Sequence, residues 1–299
     1  MSSRASYACV VLVAFSLAST VGVLSCRDRA GGGVSADGRM LVAASIYPIA
    51  DVLRRVGGEQ HVRALTLLPP GGAAKAYTPT KGQSDELARA RLLVVIGLGL
   101  DDWARRGLQA GREDGPRILD LSAVVGCPSG TDPYIWLDPQ KMIRMVDRIA
   151  KALSDVDPTG ASRYAANAAA YQNRLRELDT LCAKQLESVP RKSFVTLDPT
   201  FGHFAARYGL KQIAVPPAHV EDARRGAIDG VVAFVRKHQA TCLFADPGFN
   251  VDPLDAIVEQ ANISFDRLDP LGTPGILGHG TYIDLMKTNL DALVEGLSG

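Results

Sequence analysis

From residue 40 onward the chain alternates short apolar runs with amphipathic stretches. The run "MLVAASIYP" is too short and too evenly apolar for a surface helix. It predicts a buried strand, and "IADVLRRVGG" behind it predicts a helix ended by glycines. The pattern then repeats. "VRALTLLPPGG" predicts a strand running into a Pro-Gly loop, "SDELARA" a short helix capped by Ser84, and "RLLVVIGLGL" a strand leaving into a glycine turn. Strand, helix, strand with loops at the strand ends is the signature of a parallel sheet covered by helices.

The second half follows the same plan. "KSFVTLDPTFGHFAARYGL" predicts a strand, a loop and a helix; "KQIAVPP" a strand; "DARRGAIDGVVAFVRKHQ" one helix; "TCLFADPGF" a strand; "DPLDAIVEQAN" a helix; "ISFDRLDPLG" a strand; and "TYIDLMKTNLDALVEGL" a closing helix. The fold class is therefore α/β, two lobes with parallel-sheet cores, whose loops at the carboxyl ends of strands face a shared cleft. Between the lobes, Asp157 caps and Pro158 opens a stretch of about 30 residues with no proline before Pro190, which as a helix spans about 45 Å. Tyr164, Ala168, Tyr171, Leu175, Leu178, Cys182 and Leu186 recur at spacings of three and four and give it one apolar stripe. The pattern suits a long rigid helix joining the lobes; an amphipathic helix inside one domain is the alternative. The expected boundaries are an N-terminal lobe over 40–156, a connecting helix over 157–190 and a C-terminal lobe over 191–299.

The first residues add a location. Arg4 precedes the apolar run "YACVVLVAFSLASTVGVLSC", which reads as an export signal over 1–26, and Val23, Leu24, Ser25 and Cys26 resemble a bacterial lipobox whose cysteine is lipidated. A single membrane-spanning anchor is the alternative. Residues 27–39, "RDRAGGGVSADGR", then form a flexible tether, and the protein is expected to be an extracytoplasmic lipoprotein, in the periplasm or on the outer face of the cytoplasmic membrane. With the signal removed, Lys plus Arg falls from 33 to 32 against 32 Asp plus Glu, a net charge of zero. No basic run offers a nucleic-acid surface. Cys127, Cys182 and Cys242 remain, an odd number without CxxC spacing; at most one disulfide can form among them, and the alternative is that Cys182 and Cys242, on buried patterns, are free thiols.

Seven stretches in order carry a family resemblance: "VAASIYP", "LLPPGGAAKAYTPT", "ARLLVVIGLGLDDW", "DPYIWLDPQ", "FVTLDPTFGHFAARYGL", "CLFADPGF" and "RLDPLG", followed by "YIDLMKTNLDAL". From about residue 40 to 297 the chain resembles the zinc- and manganese-type (cluster A-I) solute-binding proteins of ABC importers. The resemblance implies two α/β lobes joined by a rigid helix, a transition metal as transported cargo in the interlobe cleft, and an ABC permease with its ATPase as partners, the protein itself being a monomer and not an enzyme.

The resemblance also locates the site, and there the residues differ. A family histidine falls on Lys75 and another on Tyr134, a histidine or glutamate falls on Asp198, and the aspartate of "RLDPLG" is present as Asp269. A protonated lysine has no lone pair, and a phenol binds only a cation acidic enough to take its proton. Lys75 is therefore expected to pair with Asp198 or Asp269. Three readings stay open: an oxygen-rich site of Tyr134, Asp198 and Asp269 suited to Fe or Mn rather than Zn; a relocated site recruiting His203, His219 or His279; and a degenerate binder that takes no metal, carrying another small ligand or a structural task in the envelope. An acid-base cluster of Asp198, Asp269, Lys75 and Tyr134 would be the enzymatic alternative, but no nucleophile elbow, triad order or phosphate loop accompanies it.

Overall fold

In the computed structural model, which describes residues 33–35, 37–108 and 115–299, each half of the chain forms a four-stranded parallel sheet. The first lobe contains β1 (Met40–Ala44), α1 (Tyr47–Gly57), β2 (Val62–Thr66), α2 (Lys81–Leu87), β3 (Leu92–Val95), α3 (Asp102–Arg106), β4 (Arg117–Asp120), α4 (Leu121–Val125) and α5 (Pro139–Val156), with strand order β2-β1-β3-β4. β1 and β3 are buried along their whole length. That is why their sequences are continuously apolar instead of alternating. β4 escapes the sequence pattern because it is an edge strand, "RILD", partly open to solvent.

α6 (Ala161–Ser188) follows, 28 residues long, so about 42 Å at ~1.5 Å per residue. Pro158 opens a separate 3-10 turn, Pro158–Gly160, instead of the α-helix itself. There Asp157 accepts the Tyr164 hydroxyl at 2.5 Å and fixes the junction. All seven positions of the apolar stripe are buried. The helix packs on α5 and α1. Further along, Asp179 accepts both Arg207 Nε and Nη2 (3.0 and 2.7 Å), the Tyr208 hydroxyl (2.9 Å) and Gln140 Nε2 (2.8 Å). One carboxylate thus ties three segments together.

The second lobe contains β5 (Ser193–Thr196), α7 (Gly202–Arg207), β6 (Lys211–Ala214), α8 (Pro217–Arg224), α9 (Asp229–Lys237), β7 (Cys242–Ala245), α10 (Val251–Ala261), β8 (Ser264–Arg267) and α11 (Tyr282–Ser298), with strand order β6-β5-β7-β8. The single helix expected over "DARRGAIDGVVAFVRKHQ" is two, because Gly226 takes φ +90° and ends α8. α2 likewise starts before Ser84. Thr80 caps it, accepting the Gln83 N–H at 3.2 Å while Gln83 Oε1 accepts the Thr80 N–H at 2.9 Å.

The main apolar core runs without a break from Val42 and Leu93 through Trp136, Ile149 and Leu175 to Phe244 and Leu290, so it includes residues of both lobes. A smaller cluster, with Val195, Val231, Leu243, Leu254 and Ile257, lies in the second lobe alone. Direct bonds join the lobes as well. Trp136 Nε1 donates to Pro270 O at 2.7 Å, Tyr282 OH to Trp136 O at 2.6 Å, and the Tyr282 N–H to Asp51 Oδ2 at 3.0 Å.

The signal segment, with Arg4 and Cys26, lies outside the described residues. The end of the expected tether is not free chain: Leu41 N–H donates to Gly33 O (2.9 Å), Ser35 N–H to Arg39 O (2.7 Å), and Val34 bridges Met40. Cys127, Cys182 and Cys242 are free, the last two buried, and burial pushes the Cys182 thiol up to about 12 and Cys242 up to about 11. Among the described residues no helix is long and apolar enough to cross a membrane.

Candidate functional site

The strand order fixes where a ligand can sit. β1 and β3 lead away in opposite directions in the first lobe, as do β5 and β7 in the second, and crevices open at such switch points beyond the carboxyl ends of strands. In the first lobe the loop after β3 is folded on itself by Asp101, whose buried carboxylate accepts the N–H groups of Ile96 (2.6 Å) and Gly97 (2.9 Å). In the second lobe the crevice holds two facing carboxyls. Asp198 follows β5, and Asp246 follows β7 directly.

The loop below Asp198 is rigidly held. Its carbonyl accepts Thr200 N–H (3.0 Å), Thr196 Oγ1–H (2.8 Å) and Gln212 Nε2 (2.9 Å). The Asp246 carbonyl accepts Arg267 Nη1 (2.6 Å), and its Oδ1 takes the Gly248 N–H (2.7 Å). The Asp246 carboxyl lies close enough to Asp198 to disfavour its ionised form by contact and by charge. Asp198 is pushed up to about 6, first by burial, then by the bond and charge of Asp246, with Glu221 adding and Arg224 opposing. A cation arriving between them would take the proton's place.

Tyr134 reaches this pair from the first lobe. It precedes the short turn Ile135–Leu137, its ring lies 5.1 Å from that of Trp136, and its phenol is raised to about 12 by burial and then by the charges of Asp198, Asp132 and Asp246. The phenol keeps its proton at neutral pH. Asp132 fixes the approach, its Oδ1 accepting the Tyr134 N–H at 2.9 Å. A Cβ at Gly202 would stand 2.7 Å from Asp132 Oδ2, so glycine there lets the loop close onto α7.

Asp269 is held apart from that group. Its N–H donates to Asn289 Oδ1 (2.8 Å) and its carbonyl accepts Asn289 Nδ2 (2.7 Å), while Oδ1 takes the N–H groups of Leu271 (2.9 Å) and Gly272 (2.8 Å). Oδ2 accepts His279 Nδ1 at 2.8 Å. Against a carboxylate acceptor Nδ1 carries the hydrogen, and in the neutral imidazole Nε2 then holds the lone pair, the arrangement that orients metal-binding histidines.

The expected convergence is therefore partial. Asp198 and Tyr134 come together, whereas Asp269 is not among the charges acting on either of them. Lys75 does not pair with an aspartate of the site. It is exposed and makes no ion pair with Asp198 or Asp269, because Trp103 Nε1 pins the neighbouring Ala74 carbonyl at 2.6 Å with Ala74 turned inward. His203 is no substitute ligand either, since Nε2 donates to Asp132 O (2.8 Å) and Nδ1 accepts from Lys141 Nζ (2.6 Å). His219 packs its ring over Gly230 of α9. Of the three histidines, His279 alone keeps a lone pair beside a site aspartate. Among the described residues no three His, Cys, Asp or Glu side chains gather as a metal-holding group.

The residues missed from sequence are Asp246 and Asp132. A signal for the first was present. Three of the four strands of the second lobe run into an Asp-Pro pair, at Asp198, Asp246 and Asp269, and only the outer two were singled out.

Similar proteins place this geometry. The chain matches the family of the zinc-uptake complex component A, periplasmic (ZnuA), over residues 42–296. It is 27% identical over 277 residues to the "Manganese-binding lipoprotein MntA" of Halalkalibacterium halodurans, covering 89% of this chain and 91% of that one. To the "High-affinity zinc uptake system protein ZnuA" of Paracoccus denitrificans it is 32% identical over 273 residues, covering 77% and 84%. Its fold matches a crystal structure of ZnuA with TM-score 0.74 at 24% identity, covering 87% of this chain and all of the other. With the match running through both sheets, the connecting helix and the loops that carry Tyr134, Asp198 and Asp269, the chain belongs to the ZnuA family of periplasmic metal solute-binding proteins.

Proposed function

We propose that the protein is the extracytoplasmic, lipid-anchored binding component of a metal-type ABC importer, which captures a cation between its lobes and passes it to a permease driven by an ATPase. It binds and releases its cargo and catalyses no reaction on it. The lobes correspond to residues 40–156 and 191–299, with 157–190 as the joining helix and Cys26 as the lipidated residue.

The observation that carries this reading is the placing of two carboxyls, Asp198 and Asp246, at the ends of the paired strands β5 and β7 at the switch point of the second lobe, with the Tyr134 phenol near enough to feel both charges. Two part-buried carboxyls side by side form a site suited to positive charge. Oxygen donors favour manganese or iron over zinc. His279, bonded to Asp269, belongs to a separate loop outside the Asp198–Asp246 pair. The relatives named for manganese and for zinc support a transition-metal cargo.

Calorimetric titration of the mature protein with Mn²⁺ and Zn²⁺ tests the reading. Mn²⁺ is expected to bind with release of about one proton per ion below pH 6, and Asp198→Ala to abolish binding. Tight binding that survives both Asp198→Ala and Asp246→Ala refutes the assignment. Cys26→Ser is expected to free the protein from membranes or leave it unprocessed; unchanged membrane attachment refutes the lipid anchor.

A further inference from the structure

His203 joins the two lobes through both of its ring nitrogens. It is the second residue of α7, half-buried, and follows Asp198 by five positions. Its Nε2 bonds the Asp132 carbonyl at 2.8 Å and its Nδ1 bonds Lys141 Nζ at 2.6 Å, and both partners belong to the first lobe. An ammonium has donors only, so Nδ1 presents its lone pair to Lys141, and the ring hydrogen lies on Nε2, where the carbonyl accepts it. The imidazole is neutral, with both nitrogens used.

On the first-lobe side, the bonded carbonyl belongs to the residue whose carboxylate holds Tyr134, since Asp132 Oδ1 accepts the Tyr134 N–H at 2.9 Å. Lys141 lies in the first turn of α5, beyond Tyr134 and the Ile135–Leu137 turn, with Nζ 3.9 Å from Oδ2 of Asp138, the cap of that helix. The histidine therefore grips the Tyr134 loop before and after Tyr134 itself. On the second-lobe side, α7 is a fixed mount. Phe201 and Phe204 are buried in the main core, and Arg207 and Tyr208 both donate to Asp179 of α6. The Thr200 N–H, on the way from Asp198 to α7, donates back to the Asp198 carbonyl at 3.0 Å.

The clamp acts locally. Trp136 Nε1 to Pro270 O and Tyr282 OH to Trp136 O join the lobes without it, so loss of the His203 bonds would leave the lobes together and slacken the loop that carries Tyr134. Slack matters there. The Tyr134 phenol comes from one lobe and feels the carboxyls of the other, so its distance from them is set by whatever spans the lobes at that loop. Binding groups need to be held within about 0.5 Å of their productive places, and a side chain bonded at both nitrogens on a rigid helix supplies that hold.

We propose that His203 is a positioning residue for cation binding, which holds the Tyr134 loop of the first lobe at a set distance from the Asp198–Asp246 pair of the second through its bonds to Asp132 and Lys141. The proposal rests on the transport reading above. It adds the residue that fixes the geometry across the lobes, and gives a histidine that ligates nothing a part in affinity.

The test is a double-mutant cycle on the full chain, purified in detergent and titrated calorimetrically with Mn²⁺ at pH 7. His203→Phe keeps a ring and removes both bonds, and is expected to weaken Mn²⁺ binding by about tenfold. His203→Gln, whose amide nitrogen donates to the Asp132 carbonyl and whose oxygen accepts from Lys141, is expected to stay within about threefold of the parent. In the Tyr134→Phe background, itself weakened, His203→Phe is expected to cost less than about twofold more, because it acts through a phenol that is already gone. Urea midpoints of the metal-free variants check that each is folded. Should His203→Phe not fold, Lys141→Met removes one anchor in its place, with an expected loss of about fivefold in the parent and less than about twofold in Tyr134→Phe. Equal affinity of His203→Phe and the parent overturns the clamp, as does undiminished binding by Tyr134→Phe. A loss by His203→Gln as large as that by His203→Phe, or the same loss in both backgrounds, overturns it as well, since the contact would then support the fold and not Tyr134. A parent that binds no Mn²⁺ overturns the transport reading, and the clamp with it.

Discussion

Replacing Asp246 with asparagine separates the two carboxyls of the cleft without emptying it. In the folded protein Asp198 is raised from 3.8 to about 6, by burial and then by its bond and charge contact with Asp246. At about 1.4 kcal/mol per pH unit the difference is worth roughly 3 kcal/mol at most, and because Asp198 is only part-buried, solvent screening reduces this to about 1–2 kcal/mol. The sign follows from proton linkage. A carboxyl with a raised folded pKa binds its proton more tightly folded than unfolded, so its stabilising contribution is complete below about pH 4 and is lost as pH rises through 6. The cation-free parent is therefore expected to lose about 1–2 kcal/mol from this pair between pH 4 and pH 7. Asp246→Asn removes the charge, keeps a hydrogen-bond donor for Asp198 and is expected to flatten that part of the profile, leaving the variant the more stable of the two at pH 7. Urea unfolding of both proteins at pH 4, 5, 6 and 7, with chelator present, measures it. Parallel pH profiles for parent and variant would refute the contact between the two carboxyls. Adding Mn²⁺ to the parent at pH 7 is expected to restore the lost stability, because the cation then neutralises the pair.

Two further substitutions probe the frame and the donor set. Asp179→Ala leaves Arg207, Tyr208 and Gln140 without their common acceptor and is expected to cost about 2 kcal/mol by urea midpoint, with retained stability showing that the junction of α6 with α5 and α7 is held by packing alone. Tyr134→His places a nitrogen over Asp198 and Asp246 and is expected to raise Zn²⁺ affinity by at least about tenfold, whereas adding Lys75→His should change it by less than about threefold, since that position faces solvent; an equal gain from Lys75→His alone would contradict the observed position of residue 75.

The residues that announced themselves in the sequence were those whose role is periodic. β1 and β3 are sandwiched between helices, so their apolar runs are continuous and legible. α6 shows its stripe because a long helix must bury one face along its length. β4, half open at a sheet edge, has no such signature, and Gly226 splits a helix that periodicity alone would continue. The site was legible by position but not by orientation. The resemblance put Lys75 at a ligand position, yet its side chain is exposed where Trp103 bonds the Ala74 carbonyl from 29 residues away, which no local pattern records. The partner of Asp198 lies 48 positions further on in sequence and becomes a neighbour only because β5 and β7 pair.

The division of the apolar core has a consequence for how the molecule comes apart. Phe244 belongs to the core that passes through both lobes, while its strand neighbour Leu243 belongs to the cluster it shares with Val231, Leu254 and Ile257. β7 is thus the seam between a large cooperative block and a thin layer carrying α8, α9 and α10. Amide protons in that layer should exchange by a smaller opening than those of β1, α6 or α11, as a separate unit of lower free energy. The loops that follow β5 and β7, with Asp198 and Asp246, sit on that seam. Local unfolding of the outer layer would then release the two carboxyls from their fixed register while the rest of the molecule, and its hold on the other lobe, stayed intact.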